Sequence, residues 1–408
     1  MADTLLDPGP VDTDVWPDLD LRAELLARAA DLVPLLERNA AQTEADRRLP
    51  AENVEALTAA GLWRITVPRR FGGYEVDLRT KIDVAAELAR GCGSTAWVTS
   101  LINVCNWFGG LYCDRAQQDV WGANPQSLIS GVFAPSSTSR RVEGGLVVTG
   151  KWPFASGCLH TDWAGIGVPV VDDAGTPVDL GWALVPMSDL TIQDTWFTAG
   201  MRGTGSNTLV GEDVFVPDHR ILSFPRAFVT DYPTEHSDEA SYRSAFMPFA
   251  ALILVGPQLG LARRALQYVL EMAPKRSVSY TVFERQTDAP NFQMAIARAS
   301  MLIDTGHLHA YRAAADVDGA ARSGDKLSYT ARARVRMDTA HAIESLREGL
   351  QILLSAHGAS SFAESCPLQR IWRDAEVASR HAIAHGDVNA LMYGQALLGI
   401  EGGVTALV

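Results

Sequence analysis

The chain has 408 residues, 47% of them hydrophobic and 20% charged. That size exceeds what one hydrophobic core usually fills, so about two to three packed units are expected, and the composition argues against disorder over most of the length. With 35 Lys and Arg against 48 Asp and Glu the net charge is −13, which argues against nucleic acid as an electrostatic partner.

Residues 1–20 hold six aspartates, three prolines and no basic residue, the pattern of a solvated, disordered tail without the basic and apolar regions of a signal peptide. Residues 21–124 read as helical. Leu21, Leu25, Ala29, Leu32 and Leu36 recur at spacings of three and four, and Pro34 is expected to kink or split that first helix. A second helix lies between Pro50 and Gly61, and two more run through Ile82–Leu88 and Thr95–Tyr112. Residues 125–229 change to an alternating period, with a hairpin at Gly144-Gly145 and strands at 163–171, 181–186 and 207–216, which predicts a β-sandwich or barrel. Helical periodicity returns over 230–408, with long amphipathic helices expected from Ala331 to Leu353 and from Trp372 to Leu397. The uncharged runs Gly91–Cys113 and Ser244–Ala262 contain Asn, Pro and Gly and read as buried helices, with no membrane span.

Few motifs point to chemistry. Residues 200–206 are glycine-rich but lack both the GxGxxG spacing and a Walker lysine. His307 and His309 are two apart on a helix, hence on different faces, and no metal site is expected. His381 and His385 are four apart and would share a helix face. Five cysteines, Cys92, Cys105, Cys113, Cys158 and Cys366, form no CxxC pair and no disulfide framework, which fits a reducing, cytoplasmic setting. The segment WPFASG over Trp152–Gly157 reads two ways: a serine beside aromatics that binds a planar ligand, or a β-turn with core aromatics.

The α, β, α order and four phrases together resemble the acyl-CoA dehydrogenase fold. The phrases are GLWRITVPRRFGG (Gly61–Gly73), MRGTGS (Met201–Ser206) with EDVFVP (Glu212–Pro217), Gly256–Arg264, and PLQRIWRD (Pro367–Asp374). The resemblance implies an α+β protein with an N-terminal α-helical domain, a middle β domain and a C-terminal four-helix bundle. Dehydrogenases of this fold need a carboxylate base after the Arg-Asp pair, where this chain has Ala382, or in an earlier helix, where no acid occurs between Glu239 and Glu271; losing such a base costs about 10²–10⁴ in rate. The chain is more similar to the two-component flavin-dependent monooxygenases of the fold, the oxygenase components that act on p-hydroxyphenylacetate and steroid-ring phenols. GKWPFASG (Gly150–Gly157), His381 eight residues after Arg373, and GQALLG (Gly394–Gly399) carry that similarity.

The resemblance implies that reduced flavin, FMNH2 or FADH2, arrives from a separate NAD(P)H:flavin reductase. It reacts with O2 to a C4a-hydroperoxide and hydroxylates an aromatic substrate. Ser156 would hydrogen-bond flavin N5, with Trp152, Phe154, Gly157, Thr204 and Ser206 as further flavin contacts. His381 would lie at the hydroperoxide, its imidazole titrating in a useful range, with His385 as a second candidate or a plain helix-surface histidine. Related phenol hydroxylases carry a histidine where Asn103–Trp107 has Cys105. Cys105 and Trp107 would therefore line a pocket for a larger, polycyclic aromatic. Arg276 would contact an anionic group or simply end a helix. The family is usually a homotetramer. Oxygenation of an amine nitrogen, acyl-CoA dehydrogenation with an unusual base, and a silent binding protein of the fold stay open at this stage.

Overall fold

The computed structural model describes residues 18–408; most of the expected acidic tail lies outside them. Asp18 accepts from the Leu21 amide and caps α1 (Leu19–Asp46), which therefore starts two residues earlier than periodicity alone suggests. Pro34 does not break α1. Pro34 and Ala30 are both exposed, so the carbonyl that the proline leaves unbonded sits on the water side of the helix. There follow α2 (Ala51–Ala59), α3 (Leu78–Gly91), α4 (Gly93–Gly110) and α5 (Asp114–Trp121).

The middle region is a sandwich of two four-stranded sheets. One has the order β1 (Ile129–Val132), β4 (Trp163–Val171), β5 (Pro177–Pro186), β8 (Ile221–Ser223). The other has β2 (Ser137–Val142), β3 (Gly145–Ala155), β7 (Asn207–Pro217), β6 (Thr191–Gln193). Val148, Trp152, Ile166, Val185 and Leu209 fill the space between them.

After the short helices α6 (Phe224–Ala227) and α7 (Phe246–Leu252) come α8 (Val255–Met272), α9 (Pro290–Ser323), α10 (Tyr329–His357), α11 (Pro367–Ala378) and α12 (Gly386–Leu397). The expected single helix from Trp372 to Leu397 is thus two helices, broken between Ser379 and His385. Ile383 and Ala384 in the break are buried, so the apolar spacing reports packing of a turn and not helix continuity. The apolar stretch Phe246–Lys275 has the composition of a membrane span, but its window is 94% buried by other parts of the protein. One continuous core joins the N-terminal helices to the C-terminal ones, from Leu25 through Leu259 to Ile383.

That joint depends on close approach of α8 to α3. A Cβ at Gly260 would lie 2.0 Å from the Ala86 carbonyl oxygen, so only a residue without a side chain lets the two backbones meet. Gly260→Ala is expected to destabilise the protein by about 1–3 kcal/mol through overpacking, seen as a lower thermal midpoint in differential scanning fluorimetry; an unchanged midpoint would show that α3 and α8 are not tightly joined.

Candidate active site

Strand β3 ends irregularly. Its pairing with β7 runs Trp152 to Leu209 and then Ala155 to Asn207, one extra residue on β3, and Phe154 in this bulge has φ 66°. Bulges re-aim side chains. Here the Phe154 ring is turned out of the sandwich and is 68% exposed, edge-on to Trp196. Trp152, two residues earlier, points the other way. It is fully buried and its indole donates to the Gly167 carbonyl at 2.9 Å, so it is a core residue with no surface for a flavin, contrary to the expectation above.

Beyond the bulge, Ser156 is buried and Gly157 has φ 80°. A Cβ on Gly157 would lie 3.0 Å from Ile102 of α4. The Ser156 hydroxyl is 2.7 Å from that of Ser206, which is 2.7 Å from that of Thr204, which donates to the Met201 carbonyl at 2.9 Å. The Met201 amide donates in turn to Asp374 at 2.6 Å. Burial raises the Asp374 carboxyl to about 6.

On the opposite side, the Trp97 indole of α4 donates to Ser156 at 3.3 Å, and its ring lies 6.0 Å from that of His381. Trp97 thus links the serine to the histidine and the N-terminal domain to the other two. It was missed in the sequence because a tryptophan in an apolar helix reads as core. His381 lies in the break between α11 and α12, where its Nδ1 accepts the Ile383 amide at 3.3 Å. A neutral imidazole accepting at Nδ1 carries its proton on Nε2. Burial, then the nearby Arg336 charge, lowers its pKa to about 4. His381 is therefore a neutral donor near pH 7 and not a group titrating there, a correction to the expectation above.

The other candidates scatter. His385 is not on a shared helix face with His381; it is an exposed residue at the start of α12. Cys105 lies on the α4 face of Val98 and Ile102, one turn past the Gly157 contact, with burial pushing its thiol above the usual range. Trp107 faces elsewhere: fully buried, it stacks on Phe249 and donates to the Ser241 carbonyl, so it has no surface for substrate. Arg276 is held by the His357 carbonyl and the Ser360 hydroxyl, with no bond to the Ser156 cluster among the described residues. His307 meets Arg263 while His309 meets Asp338. No group of three metal-ligating side chains occurs among the described residues.

A buried serine oxygen and a neutral imidazole donor linked through Trp97, with an outward aromatic ring two residues before the serine, suit a planar ligand with polar edges such as a flavin. Among the described residues the Ser156–Trp97–His381 cluster contains no carboxylate in hydrogen-bonding contact with any of the three.

Comparisons with known proteins identify relatives along most of the chain. The model of the acyl-CoA dehydrogenase N-terminal domain matches residues 26–123, and that of the acyl-CoA dehydrogenase C-terminal domain matches residues 252–385. The sequence is 35% identical over 376 residues to the flavin-dependent monooxygenase, oxygenase subunit HsaA, of Rhodococcus jostii (strain RHA1), covering 92% of this chain and 98% of the relative. It is 32% identical over 387 residues to the FADH2-dependent resorcinol hydroxylase, oxygenase component, of Rhizobium sp. (strain MTP-10005), covering 92% and 94%. The solved structure of XiaF from Streptomyces sp. in complex with FADH2 and glycerol superposes with a TM-score of 0.89 at 38% identity, over 94% of this chain and 96% of that one.

The state of His381 is open to direct measurement. With histidines labelled in nitrogen-15, NMR is expected to show the Nε2–H tautomer at pH 7 and a midpoint near 4; a midpoint near the ordinary histidine value of about 6.5 would contradict the neutral-donor assignment.

Proposed function

Because this chain belongs to the acyl-CoA dehydrogenase family, among its flavin-dependent monooxygenase oxygenase components, we propose that it binds reduced FAD between Phe154, Ser156, Gly157 and His381 and hydroxylates a polycyclic aromatic substrate. The Ser156–Trp97–His381 cluster carries this reading, since it joins the three domains around one point. The relative from Rhizobium is named as FADH2-dependent and XiaF is described with FADH2, which favours FAD over FMN. A separate NAD(P)H:flavin reductase supplies the reduced form, as the name oxygenase component implies for the relatives.

Bound reduced flavin supplies the electrons that activate O2, one oxygen atom going to the substrate and the other to water. The chain's own groups do the rest. Phe154 offers a ring face for stacking. Ser156 would hold the flavin at its N5 edge and help to keep a proton there. His381, neutral with Nε2–H outward of its Ile383 bond, donates to developing negative charge without exchanging a proton with solvent near pH 7. The interlocked domains exclude water from the serine, which is 9% exposed. Cys105, neutral and buried, replaces a phenolate-binding imidazole with a small apolar group, which suits a bulky ring system. The enzyme works as a homotetramer in the cytoplasm; exposed Met294, Met301 and Leu308 at seven-residue spacing on α9 give it a face for self-association, and all five cysteines are free.

Incubation with chemically reduced FAD, ¹⁸O2 and a panel of mono- and polycyclic phenols is expected to yield a product carrying one labelled oxygen, with turnover lowered in Ser156→Ala and Phe154→Ala by about tenfold or more. If the flavin reoxidises at its free rate and no phenol acquires label, the oxygenase assignment to this site fails.

A further inference from the structure

Each hydroxyl of the row Ser156, Ser206, Thr204 has one proton, and the row has a fixed end. The Met201 carbonyl can only accept, so the Thr204 proton lies between Thr204 and Met201, at 2.9 Å. Ser206, 2.7 Å from Thr204, must then donate to it. Ser156, 2.7 Å from Ser206, must donate in its turn. The other end is fixed as well, because the Trp97 indole nitrogen can only donate, and it does so to the Ser156 oxygen at 3.3 Å. Reversing the row would leave two bare oxygens facing each other at Thr204 and Met201, in a place where Thr204 is 1% and Ser206 3% exposed, at a cost typical of a buried unmade hydrogen bond.

We infer that this one-way row makes Ser156 an obligate hydrogen-bond acceptor and so makes the site discriminate between the oxidation states of flavin, with Ser206, Thr204 and Trp97 as positioning residues. The Ser156 proton is committed to Ser206, one of its lone pairs is taken by Trp97, and the other meets no donor among the described residues. Reduced flavin carries a hydrogen on N5 and fits that open lone pair. Oxidised flavin has a bare lone pair on N5, so two acceptors would face each other. The row therefore holds the reduced cofactor that a reductase delivers and weakens the hold on the oxidised one that must leave. This rests on the proposed placement of flavin N5 at Ser156.

The test is equilibrium binding of FAD without turnover: oxidised FAD by fluorescence quenching, and dithionite-reduced FAD under anaerobic conditions by ultrafiltration. The quantity read is the ratio of the two dissociation constants. Ser206→Ala frees the Ser156 proton, and Thr204→Val removes the fixed end of the row. Both are expected to lower the preference for reduced FAD by about tenfold, the worth of one hydrogen bond, chiefly by tightening oxidised FAD. Ser206→Thr, which keeps the hydroxyl, is expected to retain the wild-type ratio, and thermal melts identify any variant that fails to fold. Ser156→Ala is expected to weaken reduced FAD and to relieve the clash with oxidised FAD. If Ser206→Ala and Thr204→Val keep the wild-type ratio while Ser156→Ala loses it, the row does not set the polarity and the inference is overturned, with the flavin placement intact. If Ser156→Ala changes neither constant, N5 is not at Ser156 and the placement itself falls.

Discussion

The site depends on a single buried backbone amide. Met201 adopts φ 51°, and its N–H is held by the Asp374 carboxylate of α11. Its carbonyl, fixed in consequence, receives both the Thr204 hydroxyl and the Trp196 indole. Arg373 next door binds the Ala199 carbonyl and Glu44 of α1, so a few bonds lock the loop between the N-terminal and C-terminal helices. From that anchor the hydroxyl row extends to Ser156, and Trp196 stands against the Phe154 ring. The middle sandwich contributes the serine and the phenylalanine; the helical domains decide where those groups stand.

The electrostatics around His381 follow from a buried cation. Arg336 is 2% exposed, has no carboxylate partner among the described ion pairs, and donates to the carbonyls of Ile383 and Leu407. It shapes the break between α11 and α12 and, by its charge, opposes protonation of the histidine that the break presents. An imidazole kept neutral in this way differs from the carboxylate that a dehydrogenase places near the same position, and Ala382 beside it is exposed and chemically inert. Ring and arginine together favour hydrogen-bond donation over proton abstraction.

Much of this was legible in the sequence, for definite reasons. Alternation over β3, β4 and β7 and the glycine pair at the hairpin mark the sandwich, and Ser156 stood out because its phrase is unusual. The short strands β1, β6 and β8 have too few residues to show a period. The broken helix at Ser379 was hidden because a buried turn and a helix both require apolar residues at similar intervals. Trp152 and Phe154 lie two apart on a strand, where a regular pleat would put both on one face; the extra residue of the bulge sends them to opposite sides, and no side-chain pattern announces a bulge. Trp97 and Asp374 owe their parts to contacts across 59 and 173 residues of chain, a separation at which one sequence carries no pairing signal.

The backbone at Phe154 has a consequence for how this protein can be improved. A bulky residue with φ near +66° sits in a region that disfavours any side chain, by about 1–3 kcal/mol, and its ring lies in water at a further loss of apolar burial. Glycine would relieve both, so a screen for thermal robustness would select it, and with it would go the aromatic plate that the strain presents. Under the proposed flavin placement, stability and cofactor capture are thus opposed at one torsion angle, and a stabilised variant of this enzyme has to gain its robustness elsewhere in the molecule.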